Sequence, residues 1–339
     1  MSLSYQILGK PFGDNALYVQ VDPGEAIHRI LFDCGEKCLD PLTDGTVQSI
    51  DHLCFSHFHL DHVAGFDRFL RLNYNREHNP VHIRGPRDTP TIIQHRLRGV
   101  TWDLLGEQPG EWIVSEVTDQ AVRTFRFFPR EAFAESHLTA EEPSGGLLFT
   151  HRDYRIEARI MDHRVPTLAY RLSEPNQYNI DAQALDALEL SRGAWLEQVR
   201  DQSLNDRTSI TVDGQTYPLG ELRDRLLLEH PGESVAYATD LIYNQSRIDA
   251  LIEMISGCDV FVCESTYSSE DAELAEKHYH LTAIQAARIA ADAEVGKLIL
   301  FHLSKRYMQD GAGKLLEEAR TIFPETHLPE GWEVGMMKG

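Results

Sequence analysis

The segment Ser56-His57-Phe58-His59-Leu60-Asp61-His62 constrains this chain more than any other. It follows directly on Asp51–Phe55, an apolar run that reads as a buried strand. Imidazole nitrogens and a carboxylate oxygen at this spacing suit a divalent ion such as Zn2+, Mn2+ or Fe2+. A packed strand ending in four such groups is costly unless a cation compensates them. The strand end holds the first ligands rigidly, and the turn after it can aim the others at a second ion. Two ions about 3.5–4 Å apart can clamp the attacking and leaving oxygens of a phosphoryl displacement. The fold must therefore bring further ligands to the same rim.

Three candidates end other apolar runs: His163 after YRIEARIMD, Asp240 after VAYAT and His302 after LILF. Taken singly, the histidines could be ordinary core residues and Asp240 a helix N-cap. Taken together, they sit as His57 does, immediately past a strand, and strand ends on one rim of a sandwich converge.

The rest of the chain must supply those strands. Short apolar or alternating segments (SYQIL, ALYVQV, HRILFD, DHLCF, Val81–Ile83, TFRFF, GLLFT, YRIEARIM, LAYRL) fill the first half. Helices are expected over Val63–Leu72 and Asp88–Leu105. Residues 174–233 read as an insertion, with a helix over Asp181–Arg200, a hairpin around Asp213-Gly214 and a helix over Leu219–Leu228. The last third alternates: strand Ser234–Thr239, helix Ile248–Ile255, strand Val260–Cys263, helix Thr282–Ala293, strand Leu298–Phe301 and helix Gly311–Ile322. Such a pattern gives two sheets covered by helices.

Composition narrows the class. Among 339 residues, 53 acidic and 32 basic side chains leave a net charge of −21, with 42% hydrophobic residues. These values suit a globular chain and argue against one that coats nucleic acid or anionic membrane through its overall charge. Arg84, Arg87, Arg96 and Arg98 form the densest basic stretch and are expected to face solvent. No apolar run reaches the roughly 18 residues that span a bilayer, and no signal peptide is evident. Five cysteines, an odd number, do not make a disulfide framework. A reducing cytoplasm with buried thiols is expected.

The motifs resemble those of the metallo-β-lactamase superfamily, and within it the tRNase Z group. HFHLDH matches the HxHxDH signature. LFDCGE, MDHRVPTLAYR, YATDLIY, CESTY with HYHLTA, and LILFHLSKRY follow in family order. The resemblance implies an α/β (α+β) fold, a four-layer αβ/βα sandwich over residues 1–325 as a single hydrolase domain. The insertion 174–233 would stand at the position of the family's RNA-gripping arm, and 326–339 would form a C-terminal tail. It implies two divalent ions, most commonly Zn2+. One would be held by His57, His59 and His163, the other by Asp61, His62 and His302, with Asp240 bridging. Asp61 would orient or deprotonate the attacking water. Asp33, at the end of ILFD, would fix a ligand histidine or the loop. Glu264 and His280 would form a proton pair that protonates the leaving alkoxide. Ser304, Arg306 and Tyr307 would hold substrate phosphate, although a structural salt bridge suits Arg306 nearly as well.

The implied activity is 3′ processing of precursor tRNA by a metal-activated hydroxide, in a homodimer. The stretch Leu190–Leu196 resembles the base of the arm but lacks its Gly-Pro element and most of its lysines. A related hydrolase acting on a small phosphodiester, cyclic nucleotide or other small ester is the alternative. A metal-holding scaffold without turnover would need no acid–base pair.

Overall fold

Strands and short helices succeed one another along the chain, and several strands, such as Ser234–Ala238 and Val260–Glu264, are buried on both faces. A computed structural model describes residues 2–103, 106, 109–309 and 311–332. The first sheet has eight strands in sequential order. β1 (Ser2–Gly9), β2 (Asn15–Asp22) and β3 (His28–Phe32) form an antiparallel meander. β4 (His52–Cys54), β5 (Val81–Pro86) and β6 (Trp112–Val117) continue parallel to β3, and β7 (Ala121–Phe127) and β8 (His137–Pro143) finish the sheet antiparallel.

Helices α1 (Asp44–Gln48), α2 (Leu60–Val63), α3 (Phe66–Asn73) and α4 (Thr89–Leu97) lie between the parallel strands. Val47, Val63, Phe66, Phe69, Ile93 and Leu97 bury there against Leu31, Leu53, Ile83 and Val114. Burying one such side chain fully is worth about 1.5–3 kcal/mol.

The second sheet opens with β9 (Leu147–Thr150), β10 (Arg155–Asp162) and β11 (Pro166–Ser173). The chain then enters a separate compact unit, Glu174–Gly232. That unit pairs β12 (Gln177–Ile180) with a later strand, carries α5 (Ala182–Ala187) and α6 (Trp195–Arg200), forms the hairpin β13 (Ser209–Val212)/β14 (Gln215–Pro218), and closes with α7 (Leu219–Leu226) and β15 (Leu227–His230). Leu185, Trp195, Val199, Ile210, Leu219 and Leu222 make its own small core.

The second sheet resumes with β16 (Ser234–Ala238), α8 (Gln245–Ile255), β17 (Val260–Glu264), α9 (Ala272–His278), α10 (Ala283–Asp292), β18 (Lys297–Phe301), α11 (Gly313–Arg320) and β19 (Thr326–His327). Its order is β19-β18-β17-β16-β11-β10-β9, with β16 through β19 parallel. The two sheets meet face to face: Phe32 stacks 5.3 Å from Tyr170 and 5.8 Å from Tyr237, centroid to centroid. Helices α8, α10 and α11 cover the far side through Ile248, Leu251, Ala286, Ala290 and Leu315. The metallo-β-lactamase sandwich expected from the sequence is the observed fold.

Several local expectations need correction. The helix expected over Val63–Leu72 is two helices, broken at Gly65. A Cβ on Gly65 would lie 2.4 Å from the Gly35 carbonyl and 3.0 Å from that of Cys34, so this turn must be glycine to pack on the Cys34 loop. The helix from Asp88 spans only Thr89–Leu97, and Leu104 and Leu105 lie outside the described residues. The stretch Asp181–Arg200 also splits, because Ser191 leaves the helix to bond Asp213 through its N–H at 2.8 Å. Arg84 does not face solvent. It is 6% exposed, between the sheets. Thr326–His327 pairs with β18 and Trp332 is buried, while residues 333–339 lie outside the described set. All five cysteines are free and buried. Among the described residues, no helix is long and apolar enough to cross a membrane.

Candidate metal centre

The rim past the C-terminal ends of β3, β4, β10, β16, β17 and β18 gathers the candidate ligands. β4 feeds the Ser56–His62 segment, which β11 holds from across the sandwich: Leu168 N–H donates to the Ser56 carbonyl at 2.9 Å, and the Tyr170 hydroxyl to that of Phe55 at 2.7 Å. From the other side, Cys34 N–H donates to the His62 carbonyl at 2.8 Å. Gly35 allows that approach, since a Cβ there would stand 2.5 Å from the Asp61 carbonyl.

Asp33, Asp240 and His302 each follow closely on a strand and each adopts the left-handed backbone region, with φ of 61°, 52° and 53°. Non-glycine residues rarely do so, and such strain gathers at functional sites. The kink turns each side chain inward just as the strand ends.

Ligand atoms of His57, His59, His163 and Asp240 lie within 4.8 Å of one another, and so do those of Asp61, His62 and His302. Asp240 stands between the groups. Its Oδ2 lies 3.3 Å from His57 Nε2, 3.4 Å from His62 Nε2 and 3.8 Å from His163 Nε2, while its Oδ1 lies 3.4 Å from His302 Nε2. Asp61 Oδ2 lies 3.7 Å from both His62 Nε2 and His302 Nε2.

The outer nitrogens of four of the five histidines are committed elsewhere. His62 Nδ1 donates to Asp33 Oδ2 at 2.8 Å, His57 Nδ1 to Ser56 Oγ at 3.1 Å, His163 Nδ1 to the Tyr279 carbonyl at 2.8 Å, and His302 Nδ1 to Thr266 Oγ1 at 3.2 Å. These bonds select the tautomer whose Nε2 lone pair faces inward. The Nε2 atoms of His57 and His62 are buried without a hydrogen-bond partner. Buried polar atoms are rarely left so, and a cation at the convergence satisfies both. The donor set therefore fits divalent ions.

Electrostatics agree. Burial outweighs the nearby carboxylates and lowers the pKa of His57, His59 and His163, keeping them neutral, the form that ligates. At His62 burial works the same way, but Asp240 and Asp33 overcome it and raise the pKa well above the usual value. A metal ion would replace that proton.

Glu264 ends β17, fully buried. Its Oε1 accepts from Leu241 N–H at 2.7 Å, and its Oε2 accepts from Thr266 Oγ1 at 2.7 Å and His280 Nδ1 at 2.8 Å. Burial opposes charge on His280, yet Glu264 and Asp240 push its pKa up to about 9. His278, two residues away, bonds the Tyr267 hydroxyl at 2.7 Å.

All three phosphate contacts expected from the sequence are bonded within the chain. The Tyr307 hydroxyl is buried, donating to Asp271 and accepting from Ser268 N–H at 2.9 Å. Ser304 Oγ accepts from Arg306 N–H at 3.3 Å, capping the turn it opens. Arg306 Nε sits 3.2 Å from Asp271 Oδ2, the salt bridge considered for it above.

The chain is 37% identical to a ribonuclease Z of Deinococcus radiodurans over 330 residues, covering 97% of this chain and 98% of that one. It belongs to the ribonuclease Z family. A ribonuclease Z of Synechococcus is 30% identical over 88% of this chain and 85% of its own. The model of the beta-lactamase superfamily domain matches residues 210–303. Among solved structures, the metallo-beta-lactamase fold protein YhfI of Bacillus subtilis superposes with a TM-score of 0.58 at 16% identity, covering 99% of both chains. Human tRNase Z, short form, gives 0.53 at 16% identity, covering 99% of this chain and 100% of that one. Both show the fold. The ribonuclease Z-family chain is thus a metal-dependent hydrolase.

Sequence reasoning missed the groups that hold this ribonuclease Z centre from behind. Tyr237 donates its hydroxyl to Asp33 Oδ2 at 2.8 Å, Ser56 bonds the same carboxylate twice at 2.7 Å, and Thr266 joins Glu264 to His302. Tyr237 reads as one more apolar residue of its strand. Ser56 and Thr266 carried a signal, each standing next to or two residues from a chemical residue.

Proposed function

We propose that this chain cleaves a phosphodiester on the 3′ side of precursor tRNA. The observation that carries the reading is the convergence of seven side chains able to ligate a metal beside the Glu264–His280 pair on one rim. The full-length similarity to chains named ribonuclease Z selects the substrate. His57, His59 and His163 would hold one divalent ion; Asp61, His62 and His302 would hold the other; Asp240 would serve both. Mixed imidazole and carboxylate donors support Zn2+. Bound there, the ions supply a water of lowered pKa and neutralise charge developing on the phosphoryl oxygens.

The chain's own groups do the rest. Asp61, in the first turn of α2 and partly exposed, accepts a proton from the attacking water. Burial alone would raise its pKa, but the hydrogen bond and charges of His302 and His62 hold it well below the usual carboxylate range. It therefore stays ionised at neutral pH. Glu264, fixed by Leu241 and Thr266, keeps His280 charged and aimed, and His280 gives its proton to the departing ribose oxygen. Asp33 holds His62 in register.

A small phosphodiester is the second reading, favoured by one observation. The unit Glu174–Gly232 carries five arginines, no lysine and eleven acidic residues. Gripping RNA rests on phosphate neutralisation, which such a unit supplies poorly. The resemblance also supports a homodimer, and the five free thiols support a reducing compartment. Sedimentation velocity tests the first.

The deciding assay gives the metal-loaded protein and its Asp61→Ala variant a 3′-extended precursor tRNA and bis(p-nitrophenyl) phosphate. A discrete cut at the tRNA 3′ boundary by the unmodified protein alone is expected. Hydrolysis of the small diester with the tRNA left intact would reject tRNA as substrate.

A further inference from the structure

A second carboxylate oxygen with two imidazole nitrogens on it lies at the other end of the strands. Asp153 Oδ2 is 3.0 Å from His28 Nε2 and 3.3 Å from His151 Nδ1. The two imidazole centroids are 4.6 Å apart. One ligand atom from each of the three side chains falls within 4.8 Å of the others. Asp240 stands in the same relation to His57 and His62, at 3.3 and 3.4 Å. Such nitrogen–oxygen separations match the edges of a coordination polyhedron with ligand bonds of about 2.0–2.2 Å.

This cluster is separate from the catalytic rim. His28 opens β3, whereas Asp33 lies just past its other end. Five residues of strand at about 3.3 Å each put roughly 16 Å between them. Asp153 precedes β10, and His163 follows it.

The three side chains are held by rigid elements. His28 belongs to the first sheet. His151 and Asp153 lie in the turn between β9 and β10 of the second, and that turn is closed by His151 N–H donating to the Tyr154 carbonyl at 2.8 Å. Asp153 is 7% exposed. Asp51 Oδ2 stands 4.0 Å from His28 Nδ1, beyond hydrogen-bond reach, and accepts from Arg29 N–H at 2.9 Å.

Three contacts compete with a cation, the first being the 3.0 Å hydrogen bond between His28 Nε2 and Asp153 Oδ2 themselves, which an ion would replace. Arg152 Nε lies 3.4 Å from Asp153 Oδ2, but its side chain is 65% exposed and also pairs with Glu25, so it can withdraw into solvent. Asp153 N–H donates to His151 Nδ1 at 3.3 Å, a long bond whose loss costs little beside a metal–nitrogen bond.

We propose that His28, His151 and Asp153 form a divalent transition-metal site of the zinc class, distinct from the catalytic pair. An ion there ties the first sheet to the second at the rim away from the chemistry.

The test is equilibrium dialysis of the full chain against a small excess of Zn2+, metal counting by mass spectrometry, and anomalous diffraction at the zinc edge. The unmodified protein is expected to carry three ions per chain, with an anomalous peak among these three side chains. His151→Gln and Asp153→Asn are each expected to carry two. A count of two in the unmodified protein with no peak at this rim overturns the proposal. So does a third ion retained by both variants.

Discussion

Asp33 Oδ2 lies 2.8 Å from His62 Nδ1, and the same carboxylate is bonded by Ser56 and Tyr237. Asp33 is fully buried and holds a left-handed backbone conformation at φ 61°. The bond fixes the tautomer of His62, so that its Nε2 faces Asp240. The carboxylate touches none of the inner nitrogens of the other candidate ligands; it acts through the imidazole.

Removing it should loosen the centre without emptying it. Asp33→Ala is expected to lose about 10–100-fold in metal affinity, the usual cost of losing a carboxylate behind a ligand histidine. Competition with a chromogenic chelator measures this. Affinity within twofold of the unmodified protein would show that Ser56 and the backbone suffice to hold His62.

How much of this could be read beforehand depended on where each residue sat. His57, His163, Asp240 and His302 were legible because each follows an apolar strand, and strands end together on one rim. Glu264 and His280 rested on motif likeness, since nothing in their spacing shows that a turn through Tyr279 at φ 63° brings them to 2.8 Å. β8 escaped notice because HLTAEEP is a largely exposed edge strand without apolar alternation. Its basic neighbours make Arg84 read as a surface residue. The alternation of β5 places it on the inter-sheet face, where it donates to His52 Nδ1 at 2.5 Å. The His28–His151–Asp153 cluster was invisible in sequence, because His28 comes from a strand of the first sheet more than 120 residues before the turn that carries His151 and Asp153.

Gly35 should prove intolerant of even one methyl group. Its Cβ would meet the Asp61 carbonyl at 2.5 Å, backbone that cannot yield without moving the ligand turn. Gly35→Ala is expected to cost about 1–3 kcal/mol in stability, as overpacking does, and to lower activity more than tenfold. Thermal melting and turnover of the small diester report the two effects. An unchanged melting temperature would mean that the turn relaxes freely.

His280 should matter in proportion to how badly the leaving group needs a proton. Loss of a general acid typically costs about 10²–10⁴-fold. His280→Ala is expected to slow cleavage of an RNA phosphodiester by that range, and p-nitrophenolate release by only a few-fold. Equal losses on both substrates would remove His280 from the acid role and leave it as a residue that shapes the centre.

Acid stability offers a check far from the catalytic rim. Burial, with the charge of Arg84, pushes the His52 pKa well below its usual value. Burial, with Arg84 and Arg76, brings that of His82 to about 3. Unfolded, both titrate near 6.5. Between those values the unfolded chain binds protons that the native chain refuses, so stability rises with pH. For His82 the contribution is full above pH 6.5 and is lost as pH falls toward 3, with a slope of up to about 1.4 kcal/mol per pH unit, and His52 acts in the same direction. Urea unfolding between pH 7.5 and 5, with chelator present to silence the metal ligands, should therefore show a shallower dependence for His82→Gln than for the unmodified protein. Parallel curves for the two would mean that His82 is protonated in the folded state, and that the Arg84 charge is screened from it.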